Sequence, residues 1–145
     1  MWMTLIRTAV ISAVTGLTTT GARVFDQEPY DLADLPCLIV STGTPSIDVS
    51  AIDDTHTLQV DTEIRIESVA QVSTGAAALH DVIAAEIMVA MGGQVTVQSV
   101  ARPVALMGIE FAELSGDGDR PVSRRVMTFV CTPLFVRANA PATLI

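Results

Sequence analysis

Between Thr57 and Glu67 apolar and polar residues alternate almost without a break. Leu58, Val60, Thr62, Ile64 and Ile66 point one way. Thr57, Gln59, Asp61, Glu63, Arg65 and Glu67 point the other. A period of two over this length predicts a strand with one face buried and one face in water or on a partner. Ser73-Thr74-Gly75 then breaks the run and the period changes. Leu79, Val82, Ile83, Glu86, Ile87, Val89, Ala90 and Met91 recur at helical spacing. Gly92-Gly93 stops the helix, because glycine suits the left-handed position just past a helix end. A strand this long needs antiparallel neighbours, and an amphipathic helix needs a sheet to cover.

The rest of the chain supplies both. Leu5, Ile6, Ala9, Val10, Ala13, Val14 and Leu17 form one stripe of a first helix over roughly 4–17. Met1–Ala22 has the apolar run and small residues of a secretory signal, but Arg7 lies inside the run and the spacing is helical, so an amphipathic helix is the expectation. A short strand follows at Arg23–Phe25, then an acidic, turn-rich stretch, Asp26–Leu35. Pro36–Ser41 reads as a buried strand. Thr42–Thr55 is a loop by composition, long enough that function or a partner is its usual reason. Gln94–Gln98 is either a short strand or part of a connection. In Pro103–Leu114, Met107, Ile109 and Phe111 fall on one side. Ser115-Gly116-Asp117-Gly118-Asp119-Arg120-Pro121 is a strong turn signal, so Pro103–Leu114 and Val122–Val136 form an antiparallel hairpin. Arg137–Ile145 reads as a C-terminal tail, partly disordered alone. The order α-β-β-β-α-β-β predicts an α+β fold: a mostly antiparallel sheet with two helices packed on one face, in a single domain over 1–136.

Composition narrows the function classes. The 145 residues are half apolar but hold only four Phe, one Tyr and one Trp, so the core is aliphatic. The formal charge is −8, and all eight cations are arginines. That balance argues against a phosphate-binding surface. No run reaches the ~18 apolar residues of a membrane span. Cys37 and Cys131 sit in apolar strand-like runs and read as buried thiols. His80-Asp81 lies on the polar side of the second helix and reads as solvated surface, with no second ligand at Ala84. His56 closes a loop whose Asp48, Asp53 and Asp54 lack the alternate-position spacing of a calcium loop. Asp117-Gly118-Asp119 is turn chemistry. Ser41-Thr42-Gly43-Thr44 lacks the Gly-Lys pair of a phosphate loop. No catalytic residue, metal site or cofactor site is expected, and the chain does not read as an enzyme.

Several segments, in order, resemble the tail terminator proteins of long-tailed bacteriophages, the lambda-like minor tail protein U family. They are Ile6-Arg7-Thr8-Ala9-Val10, Leu17-Thr18-Thr19-Thr20-Gly21 leading to Ala22-Arg23-Val24-Phe25, and Leu35-Pro36-Cys37-Leu38-Ile39-Val40. A long strand into a helix of the Leu79–Met91 type follows, and the chain closes on a Gly/Asp hairpin. The likeness spans about residues 4–136, in structural words rather than catalytic ones. It implies a homohexameric ring at the head-proximal end of the tail, assembled in the host cytoplasm. The ring caps the tail tube protein, stops its polymerisation and docks a head–tail connector or neck protein, with DNA passing through the lumen unbound. Another connector, neck or tail-completion protein shares the same vocabulary, and a stand-alone small-ligand module is the rival class.

Charged positions are the candidate contacts: Asp48, Asp53, Asp54, Asp61, Glu63, Arg65, Glu67, Asp117, Asp119 and Arg120. The mixed-sign outer face of the long strand is either a subunit contact or a solvated face. The arginines Arg23, Arg65, Arg102, Arg120, Arg124 and Arg125 are expected to do much of the pairing across subunits.

Overall fold

The elements run α1 (Trp2–Val14), β1 (Val24–Asp26), β2 (Cys37–Thr42), β3 (Ser46–Asp48), β4 (Thr57–Gln71), α2 (Ala76–Met91), β5 (Gln94–Val97), β6 (Val100–Ser115), β7 (Val122–Arg137) and β8 (Ala140–Leu144). This computed structural model describes residues 1–26, 35–48, 57–72, 74–115, 122–137 and 139–144. The two strands with the most β-branched residues, β4 and β7, pair antiparallel from Thr57 opposite Arg137 to Gln71 opposite Val122. Around them the eight-stranded sheet runs β1-β2-β4-β7-β6-β5, with β3 added on β4 and β8 added on β7. Every described pairing is antiparallel except β1 with β2. The α+β expectation holds.

The alternation of β4 does what period two demands. Val60, Thr62, Ile64 and Ile66 are buried, and they face both helices across one core. Helix α1 contributes Trp2, Ile6, Val10 and Val14, one residue per turn. Helix α2 contributes Ile83, Ala84, Ile87 and Met91. It stops at Gly92, whose φ of 57° is the left-handed conformation and whose N–H reaches the Met88 carbonyl at 3.0 Å. Arg7, the charge that breaks the apolar N-terminal run, pairs with Asp26 at 2.6 Å and ties α1 to β1. At its far end β4 loses alternation: Ser68, Val69 and Ala70 are all buried. There the opposite sheet face carries its own small cluster of Cys37, Ile39 and Val69, with Phe25, Leu35 and Val122 against it.

Three expectations need correction. Ser46–Asp48, read as loop, pairs with Gln59–Asp61 of β4. Ala140–Leu144, read as tail, pairs with the end of β7. Met107 does not share a side with Ile109 and Phe111. The register of β6 on β7 shifts between Leu106 and Gly108, so Met107 is a bulged residue. The undecided segment Gln94–Gln98 resolves as β5, joined to β6 through Gln98 and Ser99 at φ 50° and 66°. The expected β6–β7 hairpin is present. Its turn, 116–121, lies outside the described residues, as does 49–56 of the long loop.

Ile64 is fully buried in the central strand. Ile64→Asp would bury an unpaired charge and should cost roughly 3–5 kcal/mol in urea denaturation. Wild-type stability for this variant would contradict the β4–β7 register.

Candidate assembly surfaces

Of the ten charged candidates, four come together. Asp61, Glu63, Arg65 and Glu67 project from the sheet face opposite the helices, as their alternation predicts. Asp48 lies in β3 with its backbone opposite Gln59. Asp53, Asp54, Asp117, Asp119 and Arg120 lie outside the described residues. The four that converge are tied within the chain. Arg65 Nε meets Glu63 Oε1 at 2.9 Å, and Arg124 meets Glu67 at 3.0 Å across the β4–β7 ladder. Thr132 donates its hydroxyl to Asp61. Glu63 also crowds Gly43, where an added Cβ would sit 2.8 Å from the glutamate side chain. The face is therefore a built ion-pair surface rather than a field of free charges.

Arg23 and Arg125 are also engaged internally. Arg23 donates to the carbonyls of Pro36 and Thr19, both at 2.8 Å. Arg125 pairs with Asp81 and stacks over the Phe111 ring at 4.2 Å. Arg23, Arg65, Arg124 and Arg125, expected at contacts between subunits, each have a partner within the chain. Exposed ion pairs contribute little stability, ~0–1 kcal/mol each, so this network fixes geometry more than it holds the fold together.

Helix α2 presents the surface that sequence reading missed. Its sixteen residues contain only three polar ones, His80, Asp81 and Glu86. Val82 and Val89, expected on the buried stripe, point outward instead, 52% and 83% exposed, and Met88 is 50% exposed. The turn after α1 flanks this face, where the Thr19 N–H donates to Glu86 at 3.1 Å. The signal was available: a helix apolar on all sides belongs in a covered place.

His80 also departs from expectation. It is fully buried, not solvated. Its Nδ1 lies 2.7 Å from Ser68 Oγ on β4, and its Nε2 lies 2.8 Å from Ser123 Oγ on β7. A neutral imidazole donates to only one of the two serines, which can then donate onward, Ser68 to the Arg125 carbonyl at 3.4 Å or Ser123 to that of Ala70 at 3.5 Å, while the other serine donates to the ring. Burial, and then the Arg125 guanidinium, hold the imidazole below its ordinary pKa. Burial likewise pushes the free thiols of Cys37 and Cys131 up to about 11, so both remain protonated small hydrophobes. Among the described residues, no three His, Cys, Asp or Glu side chains gather as a metal site, and no helix is long and apolar enough to cross a membrane.

No protein-family model matches the chain, and no curated protein matches it. Among solved structures it is similar to a chain of the virion of a native gene transfer agent particle. The two are 18% identical, with 87% of this chain and 92% of that chain covered, at a TM-score of 0.49. A likeness at that level assigns no role, so the function must be argued from the residues themselves.

The depressed His80 pKa makes stability depend on pH. Unfolded, the imidazole has its ordinary value near 6.5. Below that pH the unfolded chain binds a proton that the folded chain refuses. Stability therefore falls as pH drops from about 6.5, and levels off once buried His80 also titrates. One such group sets a limiting slope of about 1.4 kcal/mol per pH unit. Urea denaturation from about pH 5 to 8 should show this loss, and His80→Gln should be flatter over the same window. Equal slopes would mean that His80 is not held neutral.

Proposed function

We propose that this chain is a structural subunit of a phage-like virion. In this reading six copies form a ring that caps the head-proximal end of a tail tube, stops tube polymerisation and joins the tail to the neck. The ordered resemblance of the Ile6–Val10, Leu17–Phe25 and Leu35–Val40 segments to tail terminators supports it. The observation that carries it is the outward face of α2. Val82, Met88 and Val89 stand in water on a helix with almost no polar residues. A subunit that leaves such a face open is built to be covered. A closed ring meets that need through a heterologous contact, in which one surface of each copy meets a different surface of the next. The role is structural and calls for no cofactor. Duplex DNA would pass the ring without sticking, since each copy carries −8.

With Arg23, Arg65, Arg124 and Arg125 engaged within the chain and the α2 face apolar, the subunit contact in this reading is mainly apolar and only weakly salt-sensitive. The free protein is then monomeric at low concentration and recruited to the ring on the tube end. Val89→Asp should leave stability within about 0.5 kcal/mol, being a surface change, yet block incorporation into tails. The decisive measurement is an image of the assembled tail, with six copies in one layer between tube and neck. Many stacked layers would make this the tube protein, and a position off the tail axis would end the terminator reading. In a separate assay, tight and salt-sensitive binding of duplex DNA by the purified protein would reverse the lumen argument.

A further inference from the structure

Strand β6 is left half-paired. On its outer side β5 covers only Val100–Pro103. From Ala105 onward, among the described residues, β6 pairs with β7 alone. A row of backbone N–H and C=O groups is therefore open. Natural sheets blunt such edges with charges, prolines or bulges. Here bulges fall at Met107 and beyond Ala112, and between them Gly108–Ala112 keeps a regular register. Five residues is about the length of an ordinary strand.

The two faces of this open stretch differ. On the helix side Ile109 is 46% exposed and Phe111 68% exposed, extending the rows of Met127 with Ile66 and Arg125 with Ser68. On the other side Glu110 stands exposed, in the row of Val126 and Glu67. Glu67 already has Arg124, whereas Glu110 has no charged partner among the described residues. Beside Glu110, Gly108 offers no side chain to fill the space.

We propose that the Gly108–Ala112 edge is a docking seam for an extended segment of a different protein, one that alternates apolar and basic residues. Backbone hydrogen bonds to the edge supply affinity, and the alternation supplies specificity. Apolar side chains of the incoming strand lie beside Ile109 and Phe111, and its Arg or Lys side chains lie beside Glu110, where opposite charges on neighbouring strands attract. Charge decides against a second copy as the occupant. A second copy's own Gly108–Ala112 would bring another Glu110 to the seam; the other short or edge strands of this chain are Val24–Asp26, Ser46–Asp48, Gln94–Val97 and Ala140–Leu144. None holds a Lys or Arg, and the first two end in Asp. The seam is argued from the edge itself and does not depend on the terminator reading.

The test uses the whole chain and a labelled peptide with a Val-Arg-Val-Arg-Val centre, followed by fluorescence anisotropy and by amide hydrogen exchange. The peptide should bind and should slow exchange within 105–115. A Val-Glu-Val-Glu-Val peptide should bind at least ~10-fold more weakly, and Glu110→Arg should invert that order. A Pro-Arg-Pro-Arg-Pro peptide keeps the charge but cannot join the ladder, and should not protect the edge. Ile109→Lys should weaken binding of the Arg peptide while the melting temperature stays unchanged. Equal affinity for the Arg and Pro-Arg peptides, protection elsewhere than 105–115, or no binding at all would overturn the proposal. Self-association that Ile109→Lys abolishes would overturn it too, in favour of a second copy at the seam.

Discussion

Everything in this molecule hangs on the pairing of β4 with β7. The two strands share a ladder almost from end to end, and on its other side neither is covered along its whole length by a single strand. Each therefore hands its other side to two partners in turn. On β4, β2 takes Ile64–Val69 and β3 takes Gln59–Asp61. On β7, β6 takes Val122–Cys131 and β8 takes Val136–Arg137. Both handovers sit near the irregularity where Thr132 and Pro133 of β7 oppose the single residue Asp61 of β4. Proline has no N–H to give a ladder, so a proline inside a central strand is tolerable where a bulge already interrupts the bonding. The Thr132 hydroxyl bonded to Asp61 bridges the gap.

The charges follow from the same frame. With β4 and β7 adjacent, Glu67 and Arg124 fall on one face of neighbouring strands and meet. Arg125, one residue on, must point to the helix side. A guanidinium there would be a liability without Asp81 at its head and Phe111 under its plane. So several cations are used to complete the fold. Apart from Arg65 and Arg137, both exposed, the described surface offers other chains acidic, neutral polar and apolar side chains.

The period-two strand, the two helices and the long hairpin were legible because their signals were local. Alternation fixed the buried face of β4, and glycine fixed the end of α2. The misses have physical causes. The β5–β6 turn uses Gln98 and Ser99 at positive φ, where Asn-Gly would have announced a tight hairpin. The bulge at Met107 shifts the phase of β6, so simple alternation put that residue on the wrong side. The strands β3 and β8 are short and are made by pairing, not by pattern. The outward charges of β4 were readable; that they are already paired was not, because Arg124 lies 57 residues from Glu67 in the chain.

The misreading of α2 leads furthest. Polarity puts His80 and Asp81 on the wet side; Asp81 lies there, beside the exposed Val82, Met88 and Val89, but His80 is buried. In a helix apolar nearly all round, hydrophobicity distinguishes one rotation about the axis from another only weakly: Val82 and Val89 are apolar enough to face a core, as Ile83 and Ile87 do. Directional bonds make the distinction. His80 binds serines on β4 and β7 at once, and Asp81 beside it holds Arg125. Any other rotation would strand Ser68, Ser123 and Arg125, all largely buried, without those partners, at a cost of about 1–3 kcal/mol for each unmet group. The buried polar cluster thus chooses which valines face outward. It is a positioning device for the surface on which assembly is proposed to depend, built from the residues whose polarity alone would have put them in solvent.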